Sequence, residues 1–391
     1  MALRDIRKCN VRGKRVLVRV DYNVDTDARG RLRDLTRLEA TVPTVRWLLK
    51  QGATVILVTH RGRPQGRDKK LSVRPVVAPL TRLLRQTVTF IDAPILTPAF
   101  DSALQRADGK RCILLENIRF ESGEEENSPV LAKRLASLAD VAVNDAFADS
   151  HRAHASIVGV AKQMPMFAGL SLQREVTELT ALIKRPKHPY VAVIGGAKIS
   201  TKLHLIQRLL KQADFVLLGG ALANTLLQAE GVAIGASLVE PKMLDAATGL
   251  TSTNTKLKIP CDVVVAKRRA ARVPTRTTAV GKIQPKEIIL DIGPDTVELF
   301  HRVLRTAKTI VWNGPMGVYE MKPFDRGTVQ LAKVIASSRA QSIAGGGETV
   351  DAIRRAGVAK RFTFLSTGGG AMLEFLEGKT LPGVTAVTVQ R

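Results

Sequence analysis

The sequence predicts an α/β protein of two doubly wound domains, each a parallel sheet with helices on both faces. Three observations carry that prediction. Apolar runs of strand length recur through all 391 residues, and most are continuous rather than alternating, as in strands buried on both faces. Longer amphipathic stretches separate them, which is the βα alternation of a doubly wound sheet. Near the middle, SLQREVTELTALIKRPKHP (171–189) reads as a helix stopped by Pro186 and Pro189, and a new strand series starts at Tyr190.

In chain order the strand candidates are RVLVRVD (15–21), TVILVTH (54–60), VTFID (88–92), CILLEN (112–117) and VAVND (141–145) in the first half. The second half offers YVAVIGG (190–196), FVLLGG (215–220), DVVVA (262–266), TIVWNG (309–314), QSIAGGG (341–347) and FTFLSTGGG (362–370). Helical periodicity marks 36–52, 128–139, 201–212 and 325–338. The organisation expected is a domain over 1–170, a joining helix over 171–189 and a second domain from 190.

Composition narrows the class. Three cysteines, Cys9, Cys112 and Cys261, lie far apart with no CxxC or Cys/His cluster, so no disulfide framework or zinc site is indicated. The basic N-terminus has no apolar segment after it, and no stretch approaches the roughly 18 apolar residues of a membrane span. The expectation is a soluble cytoplasmic protein with no membrane partner. The net charge of +25 raises the question of nucleic acid. Its excess is spread, however: 29 Lys/Arg against 18 Asp/Glu in residues 1–170, and 31 against 17 in the remainder. The densest run, Lys267, Arg268, Arg269, Arg272 and Arg276, holds no aromatic residue on which a base could stack. It reads as a charged surface loop, and no specific nucleic-acid partner is expected.

The chemistry-bearing residues cluster at strand C-termini, where open α/β sheets bind ligands. In the first half these ends are basic and polar: Asp21 and Asn23 after the first strand, Arg37 at a helix start, His60, Arg61, Gly62 and Arg63 in THRGRP, Arg119 in ENIRF, and His151, Arg152 and His154 in DSHRAHAS. Five arginines at such ends suggest a cationic pocket for a small polyanion, gripped by bidentate guanidinium contacts. The second half ends its strands in glycine: IGGAKISTK (194–202), LLGGAL (217–222), WNGPMG (312–317), AGGGET (344–349) and STGGGA (366–371). Glycines there let the backbone approach phosphates while the next helix N-terminus supplies N–H groups. No GxxxxGK[ST], HRD or DFG string occurs, so a nucleotide is held differently from P-loop enzymes or protein kinases. A polyanion site in one half, facing a nucleotide site in the other, points to phosphoryl transfer. The residues alone do not name the acceptor.

Together VLVRVDYNV, THRGRP, LLENIRFESGEEEN, VNDAFADSHRAHAS, VAVIGGAKISTK, VWNGPMGVYE, AGGGET and STGGGAMLEFLEGKTLPGV make the chain resemble the phosphoglycerate kinase family, in order and over nearly its whole length. The resemblance implies two Rossmann-like three-layer α/β/α domains joined by a hinge helix, the second ending near 372. A C-terminal segment of about 373–391 would return to the first domain. It implies a 3-phosphoglycerate site at Asp21, Asn23, Arg37, His60, Arg61, Gly62, Arg63, Arg119 and Arg152. It likewise implies a nucleotide site at Lys202, Glu320, Gly346, Gly347, Glu348 and Thr349. Arg37, Lys198, Lys202, Gly347 and Gly370 would serve the transferring phosphoryl group, in line and after domain closure. The implied cofactor is Mg²⁺ with ATP or ADP, addressed by Glu348, and the implied state is a monomer. Glu348 stands where the family usually has Asp, keeping the charge and adding a methylene. Arg61 stands where an apolar residue is commoner; it either adds positive potential to the acceptor pocket or points to solvent. A different small-molecule kinase on a doubly wound fold is the alternative.

Overall fold

The computed structural model describes residues 2–251 and 255–389. The chain divides into two compact units, one running to Thr177 and taking in the residues from Lys379, the other Glu178–Gly378.

In the first unit six strands, β1 (Arg15–Arg19), β2 (Thr54–Val58), β3 (Thr89–Ile91), β4 (Cys112–Leu115), β5 (Val141–Asn144) and β6 (Met166–Ala168), form one sheet in the order β3-β4-β2-β1-β5-β6. Every pairing is parallel. The central strands are buried at nearly every position, which is why they read as mostly continuous apolar runs. The helices are α1 (Thr36–Lys50), α2 (Val77–Leu84), α3 (Pro98–Arg106), α4 (Pro129–Ala136), α5 (Val160–Gln163) and α6 (Leu170–Lys184). The division between the units falls inside α6, after Thr177. Val16, Val18, Leu48, Leu57, Leu114 and Val143 centre the core. Asp145, just past β5, receives the N–H groups of Ser171 (2.9 Å) and Leu172 (3.2 Å) at the start of α6. The strand order reverses between β1 and β5, so the loops after them diverge and open a crevice at the carboxyl edge.

The second unit repeats the architecture. β7 (Tyr190–Ile194), β8 (Phe215–Leu218), β9 (Leu257–Lys258), β13 (Thr309–Asn313), β14 (Gln341–Gly345) and β15 (Phe364–Ser366) form a parallel sheet ordered β15-β14-β13-β7-β8-β9. Its helices are α7 (Leu203–Gln212), α8 (Ala221–Ala229), α9 (Leu244–Thr251), α10 (Pro294–Thr306), α11 (Arg326–Ser337), α12 (Gly347–Arg355) and α13 (Gly370–Leu376). Val191, Val193, Ile310, Trp312 and Leu331 are wholly buried between these layers. The last helix, α14 (Pro382–Thr385), belongs to the first unit. There Gly383 N–H donates to Ser150 O (2.8 Å) and Arg4 N–H to Val387 O (2.8 Å).

One part of the architecture differs from the sequence reading. β10 (Asp262–Ala266), read as another buried parallel strand, is the centre of a separate antiparallel sheet with β11 (Arg276–Ala279) and β12 (Ile288–Ile292). The basic run therefore does not end in a loop: Arg276 lies on β11 and pairs with Glu287 at 2.6 Å. No described helix is long and apolar enough to cross a membrane.

Asp262 anchors the small sheet to α10. Its carboxylate accepts from Asp295 N–H (3.1 Å) and from Thr296 N–H and O–H (both 2.7 Å), capping that helix from a distant strand. Asp262→Ala should cost about 1–2 kcal/mol in urea unfolding, and Asp262→Asn clearly less.

Candidate functional site

Within the first unit the carboxyl edge gathers most of the predicted polar set. Arg37, in the first turn of α1, is ion-paired to Asp21. Asn23 N–H donates to Asp21 Oδ1 at 3.0 Å, and Asn23 Oδ1 accepts from Gly62 N–H at 2.9 Å. Arg119 Nη1 donates to Gly62 O at 2.7 Å. Arg152 lies beside it; both approach Glu125 Oε1, at 3.1 Å from Arg119 Nε and 3.8 Å from Arg152 Nη1. His60 is buried, its Nδ1 3.4 Å from Asp149 Oδ2. Arg63 is exposed on the same turn.

Arg61 departs from both alternatives left open for it. It is 7% exposed. Its guanidinium donates to Val24 O (3.0 Å), Lys70 O (3.2 Å), Ser72 O (2.9 Å) and Thr26 Oγ1 (2.8 Å). With its donors spent inside the fold, Arg61 stitches the loops after β1 and β2 and is withdrawn from the substrate-binding set.

Sequence reasoning missed the group beneath the cluster. Arg19, the last residue of β1, is 1% exposed. It ion-pairs with Asp149 at 3.0 Å and donates to Ser156 Oγ at 3.0 Å; its Nη2 lies 3.2 Å from His60 Nδ1. Burial opposes ionisation of Asp149, but the charges of His60 and Arg19 outweigh it and hold the carboxyl well below its ordinary range. Glu124, also buried, accepts from Ser156 N–H and O–H. Asn117 Oδ1 takes the N–H groups of Arg61 and Arg119, both at 3.1 Å, fixing the turn to ENIRF. The available signal was the charge inside VLVRV: an arginine in a doubly buried strand needs a partner. Asp21, His60 and Asp149 lie close enough to hold a cation. Arg37 and Arg19 already neutralise the two carboxylates, so the arrangement is one for anions.

The second unit's cavity, about 490 Å³, opens at the carboxyl edge of its parallel sheet. Gly196, Gly220 and Pro315 line one side, Glu320 and Glu348 another. Gly220 has φ 70°, and a Cβ there would meet Gly196 O at 2.6 Å. Gly346 at φ 97° turns β14 into α12, placing Gly347 and Glu348 in the first turn. Lys202 Nζ donates to Gly195 O at 2.5 Å. Burial pushes the Lys202 ammonium down to about 8, with Glu348 opposing the shift. Thr349 Oγ1 accepts from Gly314 N–H at 2.7 Å. Lys198 is exposed on the β7–α7 connection, and Gly370 is exposed at the start of α13. Glu320 is ion-paired to Arg269 at 2.5 Å, so part of the basic run reaches this cavity. The wall sequence reasoning missed is apolar: Val263 of β10 and Ile288 and Leu290 of β12, all from the unforeseen antiparallel sheet.

Comparison with known proteins gives one family. The family model described as "Phosphoglycerate kinase" matches residues 6–379. Curated relatives named phosphoglycerate kinase include that of Pelotomaculum thermopropionicum, 47% identical over 392 residues and covering 99% of each chain. That of Zymomonas mobilis is 46% identical and covers 97% of each. Among solved structures, phosphoglycerate kinase from Coxiella burnetii superposes with a TM-score of 0.85 at 38% identity, covering 99% of both chains.

Removing one partner of a buried ion pair strands the other's charge. Asp149→Asn is therefore expected to destabilise the first unit by about 3–5 kcal/mol, read by denaturant unfolding or amide exchange. Because the Asp149 carboxyl is held below its unfolded value of 3.8, its contribution is present above about pH 4 and lost as pH falls further. The gap between wild type and variant should close on the acid side. Arg63→Ala, an exposed change, should stay within about 0.5 kcal/mol.

Proposed function

The chain belongs to the phosphoglycerate kinase family, and from that membership we propose that the guanidinium cluster receives 3-phosphoglycerate and the glycine-lined cavity receives ATP or ADP. The reaction is reversible transfer of a phosphoryl group between ATP and the carboxylate of 3-phospho-D-glycerate, giving ADP and 1,3-bisphosphoglycerate, a step of glycolysis and gluconeogenesis. One observation carries the assignment of sites: arginines crowd the carboxyl edge of one parallel sheet, while glycine turns and a buried lysine crowd that of the other. We further place the protein in the cytoplasm as a monomer without membrane or specific nucleic-acid partners.

Phosphoryl transfer asks the protein chiefly to position and to neutralise. Arg119 and Arg152, with His60, Asn23 and the Gly62–Arg63 turn, would orient the acceptor. Arg37 leaves Asp21 to meet the transferring group, joined by Lys202 and Lys198. Backbone N–H groups at Gly347 and Gly370 face the same charge. An acyl phosphate is already activated, so no strong general base is required. Glu320 would accept from sugar hydroxyls, while Thr349 and Gly346 shape the phosphate turn and the β10–β12 wall covers the base.

Glu348 on the cavity wall fits Mg²⁺, because one carboxylate joined to phosphate oxygens is the donor set that hard cation takes. Bound there, the ion would neutralise charge on the nucleotide phosphates. The two cradles are built by different units, and membership of the family implies that in-line transfer follows a conformational step. We place that step at α6, the segment carrying the chain from one unit to the other.

A spectrophotometric assay coupled to consumption of 1,3-bisphosphoglycerate, with ATP, Mg²⁺ and 3-phosphoglycerate against other carboxylates, tests the reading. Turnover confined to 3-phosphoglycerate is expected, and a better carboxylate acceptor would overturn the substrate assignment. Arg37→Ala should lower kcat by about 10³-fold or more; near-wild-type turnover would remove Arg37 from the chemistry. Lys202 supplies a second measurement. Only its protonated form attracts phosphate, so KM for ATP should climb as pH rises through about 8, and Lys202→Arg should flatten that rise.

A further inference from the structure

Arg119 and Arg152 meet the same side chain, and that side chain is itself an anion. Glu125 Oε1 stands 3.1 Å from Arg119 Nε and 3.8 Å from Arg152 Nη1. The two ends of this contact differ sharply in exposure: 5% for the Arg119 side chain and 52% for Glu125. Arg119 Nε is buried and has no hydrogen-bond partner among the described residues. The carboxylate therefore supplies charge at ion-pair range without an aligned hydrogen bond. A buried donor left in that condition costs free energy until an acceptor reaches it.

The loop explains how Glu125 can be both close and loose. Glu124, one residue earlier, is 1% exposed and locked to Ser156 N–H (2.9 Å) and Oγ (2.6 Å). That bond fixes the backbone entering Glu125 while leaving its side chain at the surface. Arg119 also feels the like charges of Arg152 and Arg19, so an empty site without a resident anion would be self-repelling.

We propose that Glu125 is a displaceable counter-anion of the first unit's anion site. It neutralises Arg119 and Arg152 when the site is empty and yields to an incoming phosphate group. This rests on the reading that those two arginines face the acceptor. A phosphate dianion brings more charge and three acceptor oxygens, enough to satisfy Arg119 Nε and displace one carboxylate. A monoanion such as acetate offers no more than Glu125 already does, so it gains nothing by the exchange. Glu125 thereby sets a threshold that favours phosphorylated ligands over simple anions, at the expense of some affinity for all of them.

The test uses the full chain as wild type, Glu125→Gln and, as a charge-loss control on the same exposed loop, Glu126→Gln. Binding of 3-phosphoglycerate, inorganic sulfate and acetate is measured by titration calorimetry at low ionic strength. Glu125→Gln should bind 3-phosphoglycerate and sulfate roughly three- to tenfold more tightly. It should also gain measurable acetate binding, while Glu126→Gln matches wild type. In steady state, KM for 3-phosphoglycerate should fall with KM for ATP unchanged. Unchanged or weaker anion binding in Glu125→Gln, or an equal gain in Glu126→Gln, overturns the inference. Tighter sulfate binding in Glu125→Gln by a protein that binds no 3-phosphoglycerate would sink the acceptor assignment and leave the counter-anion role standing.

Discussion

A guanidinium inside a doubly covered sheet has to be neutralised where it stands, and Arg19 is neutralised by Asp149. That ion pair ties together loops that share no sequence neighbourhood. Arg19 ends β1, Asp149 follows β5, and His60, which touches both, follows β2. Ser156, bonded to Arg19, is held in turn by Glu124 from the loop after β4. One buried cation thus sets the mutual positions of four strand ends, and those ends carry the arginines of the candidate site. The rigidity has a functional reading: donors held in place before a ligand arrives need no reorganisation when it does.

The second unit reaches a comparable end with little charge. Its strand ends are glycines, and the deeply placed ammonium of Lys202 rests on the carbonyl oxygens of Gly195 and Asn313. Carbonyl dipoles stabilise an ammonium less than a carboxylate does, and burial pulls the lysine toward its neutral form. On the proposed assignment a polyphosphate would bring the missing negative charge, so this site would be completed by its ligand. The antiparallel sheet of β10, β11 and β12 adds an apolar wall that the parallel sheet's own strand ends cannot provide.

The parallel strands were legible because their burial is symmetric: Val55, Val191 and Ile310 sit in unbroken apolar runs that a doubly covered sheet explains. The antiparallel sheet was not. Its middle strand DVVVA has the same composition, while β11 reads RTTA, three of its four positions exposed; partner and direction are not local properties. Among the candidate site residues, Arg119, Arg152, Asp21, Asn23 and His60 are legible from their place after strands and Arg37 from its place at a helix start. Arg61 shows the limit of that rule. It follows a strand like the others, but its acceptors at Val24, Lys70 and Ser72 lie up to 37 residues away, and nothing beside it signals them. Arg19 was overlooked for the opposite reason, being hidden inside a strand rather than displayed beyond one.

Carboxylates recur beside the cations of both candidate sites: Asp21 on Arg37, Asp149 on Arg19, Glu125 on Arg119, Glu348 near Lys202 and Glu320 on Arg269. A pocket of bare cations would repel itself and would take up any anion available. Embedded acids remove both faults, in proportion to how tightly they are held. Asp149, buried and paired, can only be structural; Glu125 and Glu320, half-exposed, can give way. The net charge of +25 acts on a different scale, since at physiological salt its field is screened within about 8 Å. Surface basicity can therefore hasten the encounter with polyanions, but telling one anion from another is left to the acids set among the arginines.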